Sequence, residues 1–477
     1  MTIADDIIYG RKLNFSAYLS DGVALDDIDE YGFTPLIETA IARQVTTAQL
    51  LLDKGVRINK PDVTGRTALH WAVDNYDLEM VRLLLEHGAN ANAYTSAGLS
   101  ILVYPVLRGQ DDLKRLLYKH GAKLDFALDF ILGKLIGHRF ELTGDVDIVN
   151  ADGEFIELDY EGFILEFTVA MIRDSLQRFT SSYSTRHLRD HFQKLYAIIT
   201  AFNLSAELLS LQHQVRLTEK HHERLAAILQ APLLILPAAS RGHALCFVRY
   251  GNWWAKIDRG ENSITEGSVN IYRITKPEQL TAKFLHEFML KKQDRRYFHN
   301  TINQQLGLQP ILQVPMSSQI AGNCSWANVQ GVIPVAYILQ QASLADITAL
   351  SHDAFTLYDT WAQWDQDRAL DACIQRFYMA SKVRQASLAS MLAAVLFQAC
   401  DASKDNHLAR AEKILMVLTI PEYGYILKSY LDTYCVRRLT YKGNNLLKLL
   451  DDCGVNPNIG VNAIATGLPK HSNKKKK

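Results

Sequence analysis

Residues 65–88 read Gly-Arg-Thr-Ala-Leu-His-Trp-Ala-Val-Asp-Asn-Tyr-Asp-Leu-Glu-Met-Val-Arg-Leu-Leu-Leu-Glu-His-Gly, and this stretch decides the fold of the first part of the chain. Its first glycine recurs at Gly32 and Gly98, and its last glycine recurs at Gly55 and Gly121, always 33 residues away. Glycine adopts strained backbone conformations at low steric cost, so two glycine series with one period mark a repeated backbone turn. A repeat of this length predicts stacked helical units that bury their apolar faces against their neighbours.

The units resemble ankyrin repeats, in which a β-turn leads into two short helices. The sequence Thr-Ala-Leu-His at 67–70 matches the start of a first helix, and the leucine triplet at 83–85 matches a second helix. The resemblance implies an ankyrin-repeat solenoid of four to five repeats within residues 1–180. It also implies that this part of the chain binds another protein.

An insertion near residues 140–162 interrupts the period. Apolar and polar residues alternate at 146–149 and 155–158, and Asn-Ala-Asp-Gly between them is typical of a turn, which predicts a β-hairpin. Insertions in repeat proteins often lie on the binding face, so we expect this hairpin to bind a basic partner; a solvated loop is the alternative. Its seven carboxylates, with no lysine or arginine among them, are Asp145, Asp147, Asp152, Glu154, Glu157, Asp159 and Glu161.

Two asparagines follow the second helices of successive repeats. Asn59 and Asn92 each lie eight residues after a leucine of the apolar triplets, Leu51 and Leu84. This arrangement resembles the asparagine sites that a host dioxygenase hydroxylates in ankyrin proteins, and it implies that Asn59 and Asn92 are hydroxylation sites. Asparagines that only tie loops together are the alternative.

Residues 242–260 contain two alternating apolar segments around a Gly-Asn pair, which predicts a hairpin with a two-residue turn. If Gly251 and Asn252 form the turn, Tyr250 faces Trp253 across the two strands. His243 and Asp258 then lie on one face as diagonal neighbours, because side chains alternate along a strand. Diagonal neighbours are about 7–8 Å apart at the backbone, a spacing that lets a carboxylate reach an imidazole.

A second segment, residues 315–328, places Cys324 at the start of a predicted helix. Free N–H groups and the helix dipole both stabilise a thiolate at that position. A histidine base oriented by a carboxylate would complete the activation of this nucleophile, and His243 and Asp258 supply both groups. Gln319, five residues earlier, could donate an N–H to a developing oxyanion together with the backbone amide of Cys324.

The Gln-x4-Cys-Ser-Trp-Ala segment resembles the oxyanion glutamine and nucleophile helix of papain-like cysteine proteases. In those enzymes the glutamine usually stands six residues before the cysteine, so the spacing here departs from the pattern. The order His, Asp, Gln, Cys matches the permuted order of ubiquitin-like-protein proteases and of related acetyltransferase effectors. The resemblance covers about residues 235–335 and implies catalytic roles for Cys324, His243, Asp258 and Gln319.

The predicted architecture is therefore multidomain α plus α/β. An ankyrin solenoid (1–180) precedes a papain-like cysteine-protease-type α+β domain (181–335). A helical C-terminal part (336–465) is expected to pack on that domain, and a basic tail (466–477) is expected to be disordered.

Composition excludes several function classes. Lysine plus arginine equal aspartate plus glutamate at 51 each, so no global charge favours nucleic acid or membrane. Six cysteines without paired spacing indicate a reducing compartment and predict neither a disulfide framework nor a metal site. No signal peptide or membrane-spanning run is expected, and no cofactor is predicted. We expect a monomer that contacts nucleic acid only through a nuclear partner or the basic tail.

The combination of repeats, acidic insertion, protease-like segment and helical tail resembles the type IV secreted ankyrin-repeat effectors of Legionella. The resemblance implies secretion into a host cell, with the host cytoplasm or nucleus as destination and a host protein as partner. Three functions remain open: a cysteine-dependent hydrolase, an acyltransferase with the same residues, and a non-enzymatic adaptor with a degenerate protease-like domain.

Overall fold

The N-terminal part of the chain is a stack of paired helices. The computed structural model describes residues 3–20, 22, 24–213, 218–240, 242–260, 267–291, 293–319, 322–341 and 347–456. The helices of the stack are α1 (Ile3–Ile8), α2 (Phe15–Ser20), α3 (Pro35–Ile41), α4 (Val45–Asp53), α5 (Ala68–Asp74), α6 (Leu78–Glu86), α7 (Val103–Leu107), α8 (Asp111–Lys119) and α9 (Leu124–Arg139).

Local sequence explains where these helices begin. The Thr34 side chain accepts a hydrogen bond from Ile37 N–H (3.2 Å) at the start of α3, and Pro35 occupies the first turn. At the start of α5, the backbone N–H of Thr67 donates to His70 Nδ1 (3.0 Å) in a capping box. The repeated Thr-x-Leu element is therefore a helix-start signal.

The predicted hairpin consists of β1 (Asp145–Val149) and β2 (Phe155–Asp159), which pair antiparallel with Asp145 opposite Asp159. Its apolar residues Val146, Ile148 and Leu158 are buried, whereas its strand carboxylates are exposed. A two-stranded hairpin cannot stabilise itself in water, so this apolar face must pack against other elements.

The second part of the chain combines helices with a five-stranded antiparallel sheet of order β3-β4-β5-β6-β7. Its strands are β3 (Leu233–Ser240), β4 (His243–Tyr250), β5 (Trp253–Ile257), β6 (Val269–Ile274) and β7 (Leu308–Val314). Its helices are α10 (Leu165–Ser181), α11 (Phe192–Ser210), α12 (Glu219–Leu229), α13 (Ala282–Leu290), α14 (Ile302–Leu306), α15 (Cys324–Gln330) and α16 (Val332–Leu339). Short 3-10 segments are Tyr183–His191, Leu211–His213 and Pro277–Gln279, and a π-helical turn is Tyr297–Thr301.

The register of the central hairpin is the predicted one, with Tyr250 opposite Trp253. Strand β3 lies beside β4, and β6 lies beside β5. Cys246 and Val248 point to the buried face that packs on α15 and α16. The sheet thus brings the start of β4, at His243, and the end of β5, next to Asp258, close to the helix that begins at Cys324.

The C-terminal helices pack only in part on the sheet-containing domain: Ala354, Leu357 and Trp361 share its core, whereas the later helices pack elsewhere. They are α17 (Ile347–Met379), α18 (Lys382–Ala399), α19 (Asp405–Leu418), α20 (Gly424–Leu431) and α21 (Tyr441–Asp452), with a π-helical turn at Asp432–Val436. Helix α18 covers strand β1, and α18 to α21 share one core with the ankyrin stack and the hairpin. The physical reason is the apolar face of the hairpin, which these helices bury. The end of this part and the basic tail (466–477) lie outside the described residues.

Replacing Gly65 by alanine tests the repeat geometry. Gly65 has φ +86°, and an added Cβ would lie 2.6 Å from the backbone nitrogen of Ser96 in the next repeat. Gly88 is the matched control, since it has φ +89° and no atom within 4 Å of the same position. We expect Gly88→Ala to lower the free energy of unfolding by about 1–2 kcal/mol from backbone strain alone. Gly65→Ala should cost about 1–3 kcal/mol more, because its neighbour must shift.

Urea unfolding followed by circular dichroism measures both variants. Equal midpoints for the two variants would contradict the close contact between the repeats at this turn.

Candidate functional site

His243 and Asp258 meet at the end of the β4–β5 hairpin. His243 Nε2 donates to Asp258 Oδ1 at 2.8 Å, and the Gly260 N–H donates to the same oxygen at 3.1 Å. Asp258 is only 3 % exposed. Burial by itself would raise the pKa of the Asp258 carboxyl. The hydrogen bond and charge of His243 and the Gly260 amide have the larger effect, so the pKa of Asp258 lies below its ordinary value. The carboxylate therefore stays ionised beside the imidazole.

Cys324 begins helix α15 next to the first residues of β4. The Ala244 N–H donates to Cys324 Sγ at 3.4 Å, which brings the thiol beside His243, the residue before Ala244. Burial raises the pKa of the thiol, but the hydrogen bonds from His243 and Ala244 outweigh it, so the pKa of Cys324 lies below its ordinary value. Hydrogen bonds to Asp258 and Cys324 raise the pKa of His243 to about 9. These shifts favour a thiolate–imidazolium pair near neutral pH.

Gln319 lies on the loop between β7 and α15. Its backbone N–H donates to the carbonyl oxygen of Arg259, the residue after Asp258, at 2.8 Å. Its side-chain Oε1 is buried without a hydrogen-bond partner among the described residues. Among the described residues no hydrogen bond joins Gln319 to Cys324, and the backbone bond to Arg259 anchors the loop beside the site.

Asn328 is a positioning residue that the sequence reasoning missed. It lies one turn after Cys324 and is fully buried. Its Nδ2 donates to the Ala244 carbonyl oxygen at 2.7 Å, and its Oδ1 accepts from the Arg259 N–H at 2.8 Å. Ala244 follows His243 and Arg259 follows Asp258, so one amide fixes the helix that begins at Cys324 to the residues next to His243 and Asp258. A polar residue four positions after Cys324, inside an apolar helix, is the signal that could have revealed it.

The Arg259 side chain supports the same helix. Its Nε and Nη2 donate to the carbonyl and hydroxyl oxygens of Ser317, at 2.7 and 2.9 Å, and its Nη1 donates to the Ala327 carbonyl at 3.2 Å. The guanidinium is buried and lines a cavity of about 350 Å³ between α9, α15 and α17. Arg259 thus holds both the loop before Cys324 and the helix after it.

A second histidine faces the triad carboxylate. His299 Nε2 lies 3.8 Å from Asp258 Oδ2, and Lys256 Nζ lies 3.2 Å from His299 Nδ1. Both residues line a cavity of about 510 Å³ beside β6 and β7. The carboxylate is therefore flanked by imidazoles on both sides.

The hairpin carboxylates and the repeat asparagines lie away from this triad, with one exception. Six of the seven carboxylates are exposed, and the partly buried one, Glu161, lies against the loop that precedes Cys324. Asn59 Oδ1 accepts from Asn90 N–H (2.8 Å), and Asn92 Oδ1 accepts from Lys123 N–H (2.7 Å). Both asparagines therefore tie adjacent repeats together, and hydroxylation stays a prediction.

Metal sites and membrane-spanning helices are both absent from the described residues. No group of three or more histidine, cysteine, aspartate or glutamate side chains there is arranged to hold a metal ion. No helix in that part of the chain is long and apolar enough to span a bilayer.

Comparisons with known proteins agree with the repeat architecture. The family model described as ankyrin repeats (3 copies) matches residues 56–127, which confirms the ankyrin prediction there. A solved structure of the Legionella effector AnkH is 67% identical in sequence, with a TM-score of 0.84, and the match covers 98% of this chain and 100% of that one. No curated protein sequence matches the chain.

Substituting Asn328 tests its positioning role. Asn328→Ala leaves the Ala244 carbonyl and the Arg259 N–H buried without partners, which should cost about 2–4 kcal/mol of folding free energy. Asn328→Asp keeps an acceptor for Arg259 but buries a carboxylate oxygen against the Ala244 carbonyl oxygen, so we expect it to cost at least as much. Thermal unfolding and the alkylation rate of Cys324 measure both effects. Unchanged thiol reactivity in a folded Asn328→Ala variant would contradict the role.

Proposed function

The chain belongs to the family of the Legionella effector AnkH, and we propose that it acts inside a host cell as a cysteine-dependent hydrolase. In this proposal the ankyrin stack and the acidic hairpin bind a host protein. Cys324 then attacks a carbonyl group of that protein. The single observation that carries the chemical part is the connected set Asp258, His243 and Cys324 at the start of a helix.

Each residue has a defined chemical role in the proposed reaction. The Cys324 thiolate adds to the carbonyl carbon, and the His243 imidazolium donates its proton to the leaving group as the bond to it breaks. Asp258 orients the ring and stabilises its charge. The oxyanion is proposed to accept hydrogen bonds from the Gln319 side chain and the Cys324 backbone N–H. Water then attacks the thioester, while His243 takes the proton of that water.

Acyl transfer uses the same first step and differs only in the group that attacks the thioester. An amine or hydroxyl of the partner would replace water, and the product would keep the acyl group. Mass analysis of the bound partner separates the two reactions, because hydrolysis shortens the partner and transfer increases its mass.

The protein-binding part of the proposal rests on surface features of the repeats and the hairpin. Tyr31 and Val63, at the turns of successive repeats, are 65 % and 72 % exposed, and apolar side chains at repeated turns suit a protein partner. On the hairpin, Asp145 faces Asp159 and Asp147 faces Glu157. Like charges directly opposite each other destabilise a strand pair, so a basic partner would relieve this repulsion.

The asparagine sites form a separate proposal, in which a host dioxygenase hydroxylates Asn59 and Asn92. The inter-repeat hydrogen bonds must open for this to occur, so modification should be partial in the folded protein. Peptide mass spectrometry after expression in host cells should find one added oxygen at these residues. Control asparagines such as Asn75, which bonds only to backbone carbonyls of α3, should stay unmodified.

Alkylation of Cys324 tests the enzyme against the adaptor. The lowered pKa predicts that iodoacetamide reacts with Cys324 at pH 7, where an ordinary thiol with a pKa of about 8.5 is mostly protonated. His243→Ala removes the main stabilising partner while burial continues to oppose ionisation. The labelling rate at pH 7 should then fall roughly tenfold for each unit by which the pKa rises.

The control is Cys324→Ala, in which the corresponding peptide carries no label. The His243 imidazolium loses its proton as the pH rises through about 9, so this value is the upper pH limit of the ion pair. Its lower limit is the lowered pKa of the Cys324 thiol. A wild-type Cys324 that reacts no faster than an ordinary buried thiol would favour the adaptor. The adaptor would still lose its partner when residues 145–161 are deleted.

A further inference from the structure

The last carboxylate of the acidic hairpin lies at the segment that carries the proposed nucleophile. Gly162 N–H donates to the Gly322 carbonyl oxygen at 3.1 Å. Gly322 has φ +78°, and a Cβ added there would overlap the carboxyl group of Glu161. Glycine at 322 is therefore required both by the backbone and by the Glu161 side chain.

This contact places the Glu161 carboxylate two residues from the start of the helix that carries Cys324. Gly322 precedes Cys324 by two residues, so their Cα atoms are at most about 7.6 Å apart. Glu161, Gly322 and Cys324 are all partly exposed, which leaves the carboxylate and the sulfur open to one bound molecule. In the described part of the chain, none of the other six carboxylates of the hairpin hydrogen-bonds to Gly322 or approaches it closely.

The segment around Glu161 is held rigidly through its backbone. The Glu161 N–H donates to Asp159 Oδ1 at 2.6 Å, and Lys134 Nζ donates to the carbonyl oxygens of Asp159 (2.5 Å) and Glu161. Lys134 thus binds main-chain oxygens of the segment. A side chain on such a fixed backbone is preorganised for binding.

Positive groups near the nucleophile segment are engaged elsewhere. Arg139 packs over the Trp326 ring and forms an ion pair with Asp365 (2.5 Å). His138 stacks on Trp326, and burial lowers the pKa of His138 to about 4, so it is neutral near pH 7. The Lys134 ammonium also acts on the charge of Glu161, but it binds main-chain oxygens and is shared with Asp159 and Asp145. No cationic side chain among the described residues forms an ion pair with the Glu161 carboxylate, so this carboxylate can still pair with a cation at the cleft.

We infer that Glu161 determines the specificity of the site by holding a cationic side chain, lysine or arginine, of the substrate next to Cys324. The inference rests on the proposed function and names the substrate class: a basic polypeptide segment. A carboxylate about 4 Å from a substrate cation attracts it by roughly 1 kcal/mol in a well-solvated cleft, which corresponds to a selectivity of about threefold to tenfold. The same charge disfavours acidic substrates by a similar factor.

Thiol reagents that differ in charge test the role of Glu161 without knowledge of the natural substrate. Three methanethiosulfonates, carrying a trimethylammonium group, a neutral methyl group or a sulfonate group, react with the same sulfur. The rate at Cys324 is measured for each reagent, with peptide mass analysis to locate the label and Cys324→Ala to define the background. The quantity compared is the ratio of the cationic to the neutral rate.

We expect Glu161→Gln to lower this ratio about threefold to tenfold and Glu161→Lys to favour the sulfonate reagent. Asp147→Asn is the matched control, because Asp147 is an exposed carboxylate on the same hairpin, away from Gly322. Its ratio should stay near that of the wild type. Circular dichroism and thermal unfolding confirm that each variant is folded.

The outcomes separate the inference from the proposed function. A reactive Cys324 whose charge ratio is unchanged in both Glu161 variants would overturn the inference and leave the nucleophile intact. Equal falls of the rate ratio in Glu161→Gln and Asp147→Asn would also overturn the inference, since the selectivity would then come from the summed negative charge of the hairpin. A wild-type Cys324 that reacts with none of the reagents would overturn both.

Discussion

The buried amide of Asn328 is the interaction on which the geometry of the candidate site depends. Helix α15 packs on β4 through an apolar interface, and apolar attraction is non-directional, so it does not by itself fix how far a helix slides along a sheet. The Asn328 amide bonds to Ala244 through its nitrogen and to Arg259 through its oxygen. Only one register satisfies both buried groups, because the alternatives leave polar atoms without partners. The Cys324 thiol therefore lies beside the His243 imidazole because Asn328, one helical turn later, fixes the position of the helix.

The same segment is held from the N-terminal side by α9 and by the end of the hairpin. His138 stacks on Trp326, with ring centroids 6.1 Å apart, and Gly162 bonds to Gly322. Helix α17 joins the two parts as well, since its Asp365 accepts hydrogen bonds from Arg139 of α9 and Ser175 of α10. The stack is thus continuous with the sheet-containing part. A partner bound on the hairpin contacts the backbone that leads directly to Cys324.

Local features of this structure could be predicted from the sequence, whereas long-range contacts could not. The glycine period predicted the repeats, and the Gly251-Asn252 turn predicted the strand register that brings His243 and Asp258 together. Both signals are carried by neighbouring residues. The packing of α18 on β1 was missed, because residues of α18 follow the hairpin by more than two hundred positions. The sequence offered only a polar residue in an apolar helix for Asn328 and one of seven hairpin carboxylates for Glu161. Their contacts with Ala244 and Gly322 were recognisable only from the fold.

In the proposed function, the hairpin carboxylates both bind the partner and position it for the reaction. The facing carboxylates of the hairpin repel one another in the free protein, so the unbound hairpin holds electrostatic strain that a basic partner would release. Because Glu161 continues this acidic surface to the loop before Cys324, a segment bound along the hairpin would be delivered to the sulfur in one orientation. Binding energy from remote contacts would then be used to position the reacting carbonyl, and such positioning raises the rate of the chemical step as well as the affinity. An isolated basic peptide too short to span the hairpin should accordingly be a poorer substrate than the intact partner.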